Sequence, residues 1–115
     1  MVHRERPIHP ARMLPEQWAA AWRIDHEPPP AECVYDPDLH TGPAGGIIES
    51  ADQRAAREDV AREVCALCPV RAWCALYSMQ VRPTYGIWAG RSAREWALLG
   101  AELDAMLTPD LSGVA

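Results

Sequence analysis

From residue 50 to residue 107 apolar and polar positions recur at helical intervals, with two interruptions. Ser50 followed by Gln53 has the form of a capping box and predicts a helix through Asp52–Val64. Ala56, Val60 and Val64 give that helix a thin apolar stripe, while Arg54, Arg57, Glu58 and Arg62 suit a wet face. Pro69 suits a first helical position, so a second helix is predicted from about Pro69 to Gln80, with Trp73, Leu76, Tyr77 and Gln80 at helical spacing. One Pro and two Gly within Arg82–Gly90 then break the pattern and predict a tight turn holding up Ile87 and Trp88. Ser92 with Glu95 is a second capping box, opening a helix over Ala93–Leu107 lined by Trp96, Leu99, Leu103, Met106 and Leu107.

The first half is less regular. A short helix is predicted from Pro15 to Ile24, with Trp18 and Trp22 sharing one face. Glu27-Pro28-Pro29-Pro30 ends it and sets an extended approach to Cys33, and residues 34–46 carry turn and loop chemistry. No run alternates strictly enough to predict a strand, and no repeat is present. The fold read from the chain is all-α: about four helices in one small domain over 15–108, an irregular, flexible Pro-rich arm over 1–14 and a short tail over 109–115.

Length sharpens the picture. A chain of 115 residues has room for one domain, whose modest core would gain from an extra staple. The formal charge of −5 argues against gripping a polyanion through the whole-protein field. No apolar run reaches membrane-spanning length and the first residues lack a secretory apolar region, so a cytoplasmic location without membrane contact is expected. In a reducing compartment, four cysteines point to metal or redox chemistry before structural disulfides.

The cysteines are spaced C-x31-C-x2-C-x5-C, three of them between Cys65 and Cys74 and the fourth, Cys33, upstream across a loop. A turn brings the thiolates of Cys65 and Cys68 to one side, Cys74 reaches the same centre from the following helix, and Cys33 completes a four-sulfur set. Thiolates suit zinc or iron–sulfur, and the one-plus-three arrangement favours the latter over the paired knuckles of structural zinc, which stays as the alternative. A redox pair of Cys65 and Cys68 is a further reading, and it expects a strand-then-helix context that this helical pattern lacks. The four histidines are scattered and read as solvent-exposed, with His26 or His40 as substitute ligands the weaker alternative. No phosphate-cradling loop, triad or small-molecule site is legible, so an enzyme is not expected.

Taken together, the cysteine set, the step Cys68-Pro69-Val70 and the turn Gly86-Ile87-Trp88-Ala89-Gly90 resemble the WhiB-like proteins of actinobacteria and their phages. Trp22-Arg23, Asp36-Pro37-Asp38-Leu39 and Arg94 are similar as well, and the resemblance covers about residues 22–98. It implies a small helical domain wrapped around a [4Fe-4S] cluster held by Cys33, Cys65, Cys68 and Cys74. It further implies a transcriptional regulator that docks on the C-terminal domain of the primary sigma factor within RNA polymerase, with a cluster sensitive to oxygen and nitric oxide and disulfides in the cluster-free form. The partner face implied is the turn Gly86, Ile87, Trp88, Ala89 and Gly90, with His40 and Trp73 beside it. Trp88 reads both as a plug of the small core and as a partner anchor, and Trp73 also as a shield for the cluster. Two departures stand out: His40 and Thr41 occupy positions where the family places aromatic residues, and no basic residue follows Arg94. Without a basic tail, DNA contact is expected to be weak or indirect, through Arg91 and Arg94.

Overall fold

The computed structural model describes residues 7–22, 31–43, 45 and 47–108. Within them lie helices α1 (Pro15–Trp22), α2 (Pro37–Thr41), α3 (Ala51–Ala66), α4 (Arg71–Val81) and α5 (Ala93–Leu107). Strands β1 (Ile87–Trp88) and β2 (Arg91–Ser92) form an antiparallel hairpin between α4 and α5, and 3₁₀ turns at Pro10–Arg12 and Glu32–Val34 precede α1 and α2. The chain is mostly helical as expected, with five α-helices where about four were read. The extra one is α2, a single turn opened by Pro37 and closed at Gly42, too short to leave a periodic signal. No described helix is long and apolar enough to cross a membrane.

Local signals translate directly. Ser50 Oγ accepts from the Gln53 amide at 3.1 Å while Gln53 Oε1 accepts from the Ser50 amide at 2.9 Å, and Ser92 and Glu95 repeat the exchange at 3.2 and 3.1 Å. Each reciprocal cap satisfies two orphan donors, and its loss costs about 1 kcal/mol. Helix α4 starts at Arg71 rather than Pro69, because Pro69 and Val70 belong to a turn closed by Arg71 N–H donating to the Cys68 carbonyl at 3.2 Å.

The buried faces differ from the stripes read in the sequence. On α3 the residues turned inward are Ala61 and Cys65, while Ala56 and Val60 are exposed. A small Ala61 lets Ile87 and Leu39 pack close, so close approach selects this face, not side-chain size. On α4 the inward residues are Cys74 and Ser78, which turns Trp73, Leu76 and Met79 outward. Along α5, Trp96 and Leu99 reach the core, whereas Met106 and Leu107 are exposed on the last turn.

Residues 7–14, expected in a flexible arm, are packed instead. His9, Pro10 and Ala11 are buried; His9 Nε2 bonds the Ile87 carbonyl at 2.6 Å, and Arg12 pairs with Asp38 of α2 at 2.6 Å. Trp18 Nε1 donates to the Pro10 carbonyl at 3.0 Å, which joins α1 to the same segment. Residues 1–6, Arg23 to Pro30 with His26, the side chain of Trp22 and the tail 109–115 lie outside the described residues.

Two apolar cores result. One gathers Trp18, Ala31, Val70, Cys74, Trp88, Ala89 and Trp96, and the other Ala61, Cys65 and Ile87. Adjacent strand residues point to opposite faces, so Ile87 enters one core and Trp88 the other. The hairpin is a wedge between them, with a cysteine in each.

Candidate metal centre

Four separate positions of the fold bring cysteines to one small, apolar cavity of about 20 Å³. Cys33 comes from the 3₁₀ turn Glu32–Val34, Cys65 from the last turn of α3, Cys68 from the joint after it, and Cys74 from the second turn of α4. In the joint, Cys68 N–H donates to the Cys65 carbonyl at 3.1 Å, a tight turn that sets both side chains on the cavity side. All four are free thiols. The sequence expectation that these residues converge is met at the level of the cavity they line.

Their electrostatics are unfavourable for bare thiolates. Burial pushes the Cys33 thiol up to about 12, and the neighbouring thiols of Cys74, Cys68 and Cys65 push the same way. Cys74 is also raised to about 12, by burial and by Cys65, against the Ala89 backbone and the Ser78 hydroxyl. Burial raises Cys65 as well, opposed by the Gly90 backbone and by Arg71 and Arg62. Cys33, Cys65 and Cys74 are therefore held as neutral thiols in the chain alone, and a positive group entering the cavity displaces their protons. The raised Cys65 thiol also disfavours Cys65 as the attacking thiolate of a redox pair.

The donor set fits a polynuclear iron–sulfur group. Among the described residues no three His, Cys, Asp or Glu side chains converge tightly enough for a single metal ion. Soft sulfur donors lining one cavity suit an iron–sulfur centre or zinc.

The hairpin turn caps this cavity. Ala89 and Gly90 have φ of 52° and 82°, the paired positive values of a two-residue I′ turn. Arg62 of α3 donates to the Gly90 carbonyl at 2.9 Å and Arg71 of α4 to the Ala89 carbonyl at 3.4 Å, so the turn is held by the two helices that carry Cys65 and Cys74. A Cβ at Gly90 would lie 3.2 Å from the Arg71 guanidinium and 3.7 Å from Cys65 Cβ; one at Gly86 would meet the His40 carbonyl at 2.9 Å. Both glycines answer to close approach as much as to φ.

The residues read as a partner face are largely enclosed, with Gly86 and Gly90 of the turn half-buried. Ile87 and Trp88 are 0 % exposed, Ala89 is buried, and the Trp88 indole donates to the Tyr85 carbonyl at 2.6 Å. The Trp88 side chain is thus packed as a core plug, because His9, Tyr77 and Tyr85 enclose it with ring centroids 4.8–6.2 Å away. Trp73 is 53 % exposed on the outer face of α4, so it does not shield the cavity by burial. Arg91 and Arg94 are exposed, with the Arg91 guanidinium 5.6 Å from the centre of the Trp96 ring.

Two histidines, read as solvent-exposed, are in fact buried in the cavity wall. His9 is satisfied: its Nδ1 accepts from Ala11 N–H at 2.9 Å, which leaves Nε2 to donate to the Ile87 carbonyl. Burial lowers its pKa from 6.5 to about 4. His40 is 1 % exposed, and neither ring nitrogen makes a hydrogen bond of full geometry, with the Ala61 backbone of α3 as a weak neighbour. Leaving such a group unpaired costs about 1–3 kcal/mol. Little in the local sequence of His9 announced its role, since Tyr85 and Ile87, which tie it to the hairpin, lie 76–78 residues away.

Over residues 32–99, which include all four cysteines and the hairpin, the chain matches the family described as transcription factor WhiB. It is 45% identical over 60 residues to the transcriptional regulator WhiD of Streptomyces coelicolor, covering 52% of this chain and 51% of that protein. Over 51 residues it is 45% identical to the redox-responsive transcriptional regulator WhiB3 of Mycolicibacterium smegmatis, covering 44% and 53%. It is 39% identical, again over 51 residues, to the redox- and pH-responsive transcriptional regulator WhiB3 of Mycobacterium tuberculosis, covering 44% and 50%. The chain spans about half the length of the curated relatives it matches.

Proposed function

The chain belongs to the WhiB family of transcription factors, and from that premise we propose that it is a redox-responsive transcriptional regulator built on a [4Fe-4S] cluster. The observation that carries this reading is the convergence of four free cysteines, from four positions of the fold, on one apolar cavity. Cys33, Cys65, Cys68 and Cys74 hold the cluster, which when bound supplies a redox centre open to small oxidants such as oxygen and nitric oxide. The chain's own part is to enclose: Trp18, Val70 and Ile87 line the cavity and exclude water, and the Gly86–Gly90 hairpin closes one side. Loss of the bound group would leave buried neutral thiols, loosen the contact between the cores and so alter the outer surface.

The regulator acts through a protein partner, the C-terminal domain of the primary sigma factor in RNA polymerase. With Trp88 enclosed, the surface for that contact is the outer face of α4, where Trp73, Leu76 and Met79 are exposed at helical spacing. DNA is contacted weakly or indirectly, through Arg91 and Arg94. Purification without oxygen tests the core of this reading: a brown protein with about four iron and four sulfide per chain is expected, and a colourless protein with stoichiometric zinc would overturn it. Co-expression with the sigma domain tests the partner. Trp73→Ala is expected to weaken capture at least tenfold with iron content unchanged, and undiminished capture would reject α4 as the contact.

A further inference from the structure

The cavity wall contains two imidazoles of opposite status. His9 uses both ring nitrogens, one accepting from Ala11 N–H and the other donating to the Ile87 carbonyl. His40, on α2, lines the same cavity, is as buried as His9, and makes no hydrogen bond of full geometry at either nitrogen, with the Ala61 backbone of α3 as a weak neighbour. Its fold-related neighbours do not explain this. Leu39, next to it, packs on the second core and Arg57 donates to the Leu39 carbonyl at 3.0 Å, so α2 is firmly seated and the ring has no freedom to seek water. A buried polar group without a partner in a well-seated element calls for one that comes from outside the chain.

A water is a poor candidate. It needs two to four polar partners, and besides His40 the wall offers His9, whose nitrogens are both engaged, and Arg71, which donates to the Ala89 carbonyl, among apolar and sulfur groups. A sulfur-rich anionic group held by the four cysteines supplies acceptors along its whole surface. We propose that His40 donates an N–H hydrogen bond to a sulfur of the cluster or of a ligating cysteine, making it a positioning residue that tunes the centre without ligating it. This rests on the cluster reading above. A neutral imidazole has one N–H to give, and a hydrogen bond to sulfur favours the reduced, more negative state of the centre over the oxidised one.

The test uses the full chain purified without oxygen. After one-electron reduction, pulsed electron paramagnetic resonance on protein labelled with ¹⁵N-histidine is expected to show one weakly coupled nitrogen. His40→Leu should retain full iron and sulfide, lose that coupling and shift the midpoint potential downward. His40→Gln, which keeps an N–H donor, should stay nearer the parent potential. A coloured parent protein with no nitrogen coupling would overturn this inference alone, and that measurement stands even where a variant fails to fold. Strong coupling of directly bound nitrogen would overturn it too, by making His40 a ligand. A chain without iron would overturn the cluster reading and this inference with it.

Discussion

At the residue scale the hairpin turn is where strain and function meet. Ala89 sits at φ 52°, a region that costs an L-residue with a Cβ about 1–2 kcal/mol. Glycine there would remove that cost while adding about 0.4–1 kcal/mol of unfolded-state entropy. Ala89→Gly is therefore expected to stabilise the protein by about 0.5–1 kcal/mol, read as a higher urea midpoint at unchanged slope. Gly90→Ala runs the other way. It adds the left-handed cost and crowds the Arg71 guanidinium and Cys65, so a loss of about 2 kcal/mol is expected together with poorer iron retention. Equal midpoints for the two variants would show that the turn is not under the strain its dihedrals imply. The Gly86–Gly90 segment was legible in the sequence as a turn, because glycine spacing is a local signal. Burial of Trp88 was one of the two roles read for it, but what encloses it was not legible, since His9 and Tyr77 come from other elements of the chain.

At the scale of elements, legibility followed the same division. Helices α3 and α5 were readable nearly to the residue, because capping boxes use only neighbours three positions apart. The single-turn α2 and the segment 7–14 were missed, since both are held by contacts from elsewhere: Arg12 to Asp38, and His9 to the Ile87 carbonyl and Trp88. The histidine makes that segment pH-sensitive. His9 is neutral when folded, its pKa lowered from 6.5 to about 4 by burial first, with the positive ends of His40 and Arg12 adding to the effect. Between those values the unfolded chain binds the proton and the folded chain does not, so stability rises with pH across the window. The contribution is fully present above pH 6.5 and lost as pH falls toward 4, on the order of 3 kcal/mol in all. Burial lowers the His40 pKa as well, which acts in the same direction. Amide protection factors of residues 7–14, taken relative to the intrinsic exchange rate at each pH, are expected to fall between pH 6.5 and 4 in the parent chain and to depend far less on pH in His9→Gln. A parent segment that stays equally protected across that range would remove His9 as the fastening.

For the whole molecule, the decisive feature is that two small cores meet across the cysteine cavity. Neither is large: three tryptophans carry most of the first, and the second rests on Ala61, Cys65 and Ile87. Their connection is the β1 wedge and whatever the four cysteines hold, because Cys65 belongs to one core, Cys74 to the other, and Cys33 and Cys68 to the segments leading into α2 and α4. A bound group tied to all four therefore fixes the relative placement of α3, α4 and the 3₁₀ turn before α2, at positions where a domain this small has little apolar area to spare. Taking it away leaves α3 and α5 with intact local caps, but helices of 16 and 15 residues are marginal without a packed face. The expected outcome of anaerobic chelation or oxidative loss is a graded one. The near-ultraviolet dichroism of the buried Trp18, Trp88 and Trp96 collapses, the far-ultraviolet helical signal falls by a smaller fraction, and all four thiols become rapidly alkylated. A cluster-free chain that kept its tryptophan signature and protected its thiols would mean that the hairpin wedge alone joins the cores. In that case the cysteine site would report oxidants without unfolding the domain around it, and the switch would have to lie in a smaller movement of the surface that faces the partner.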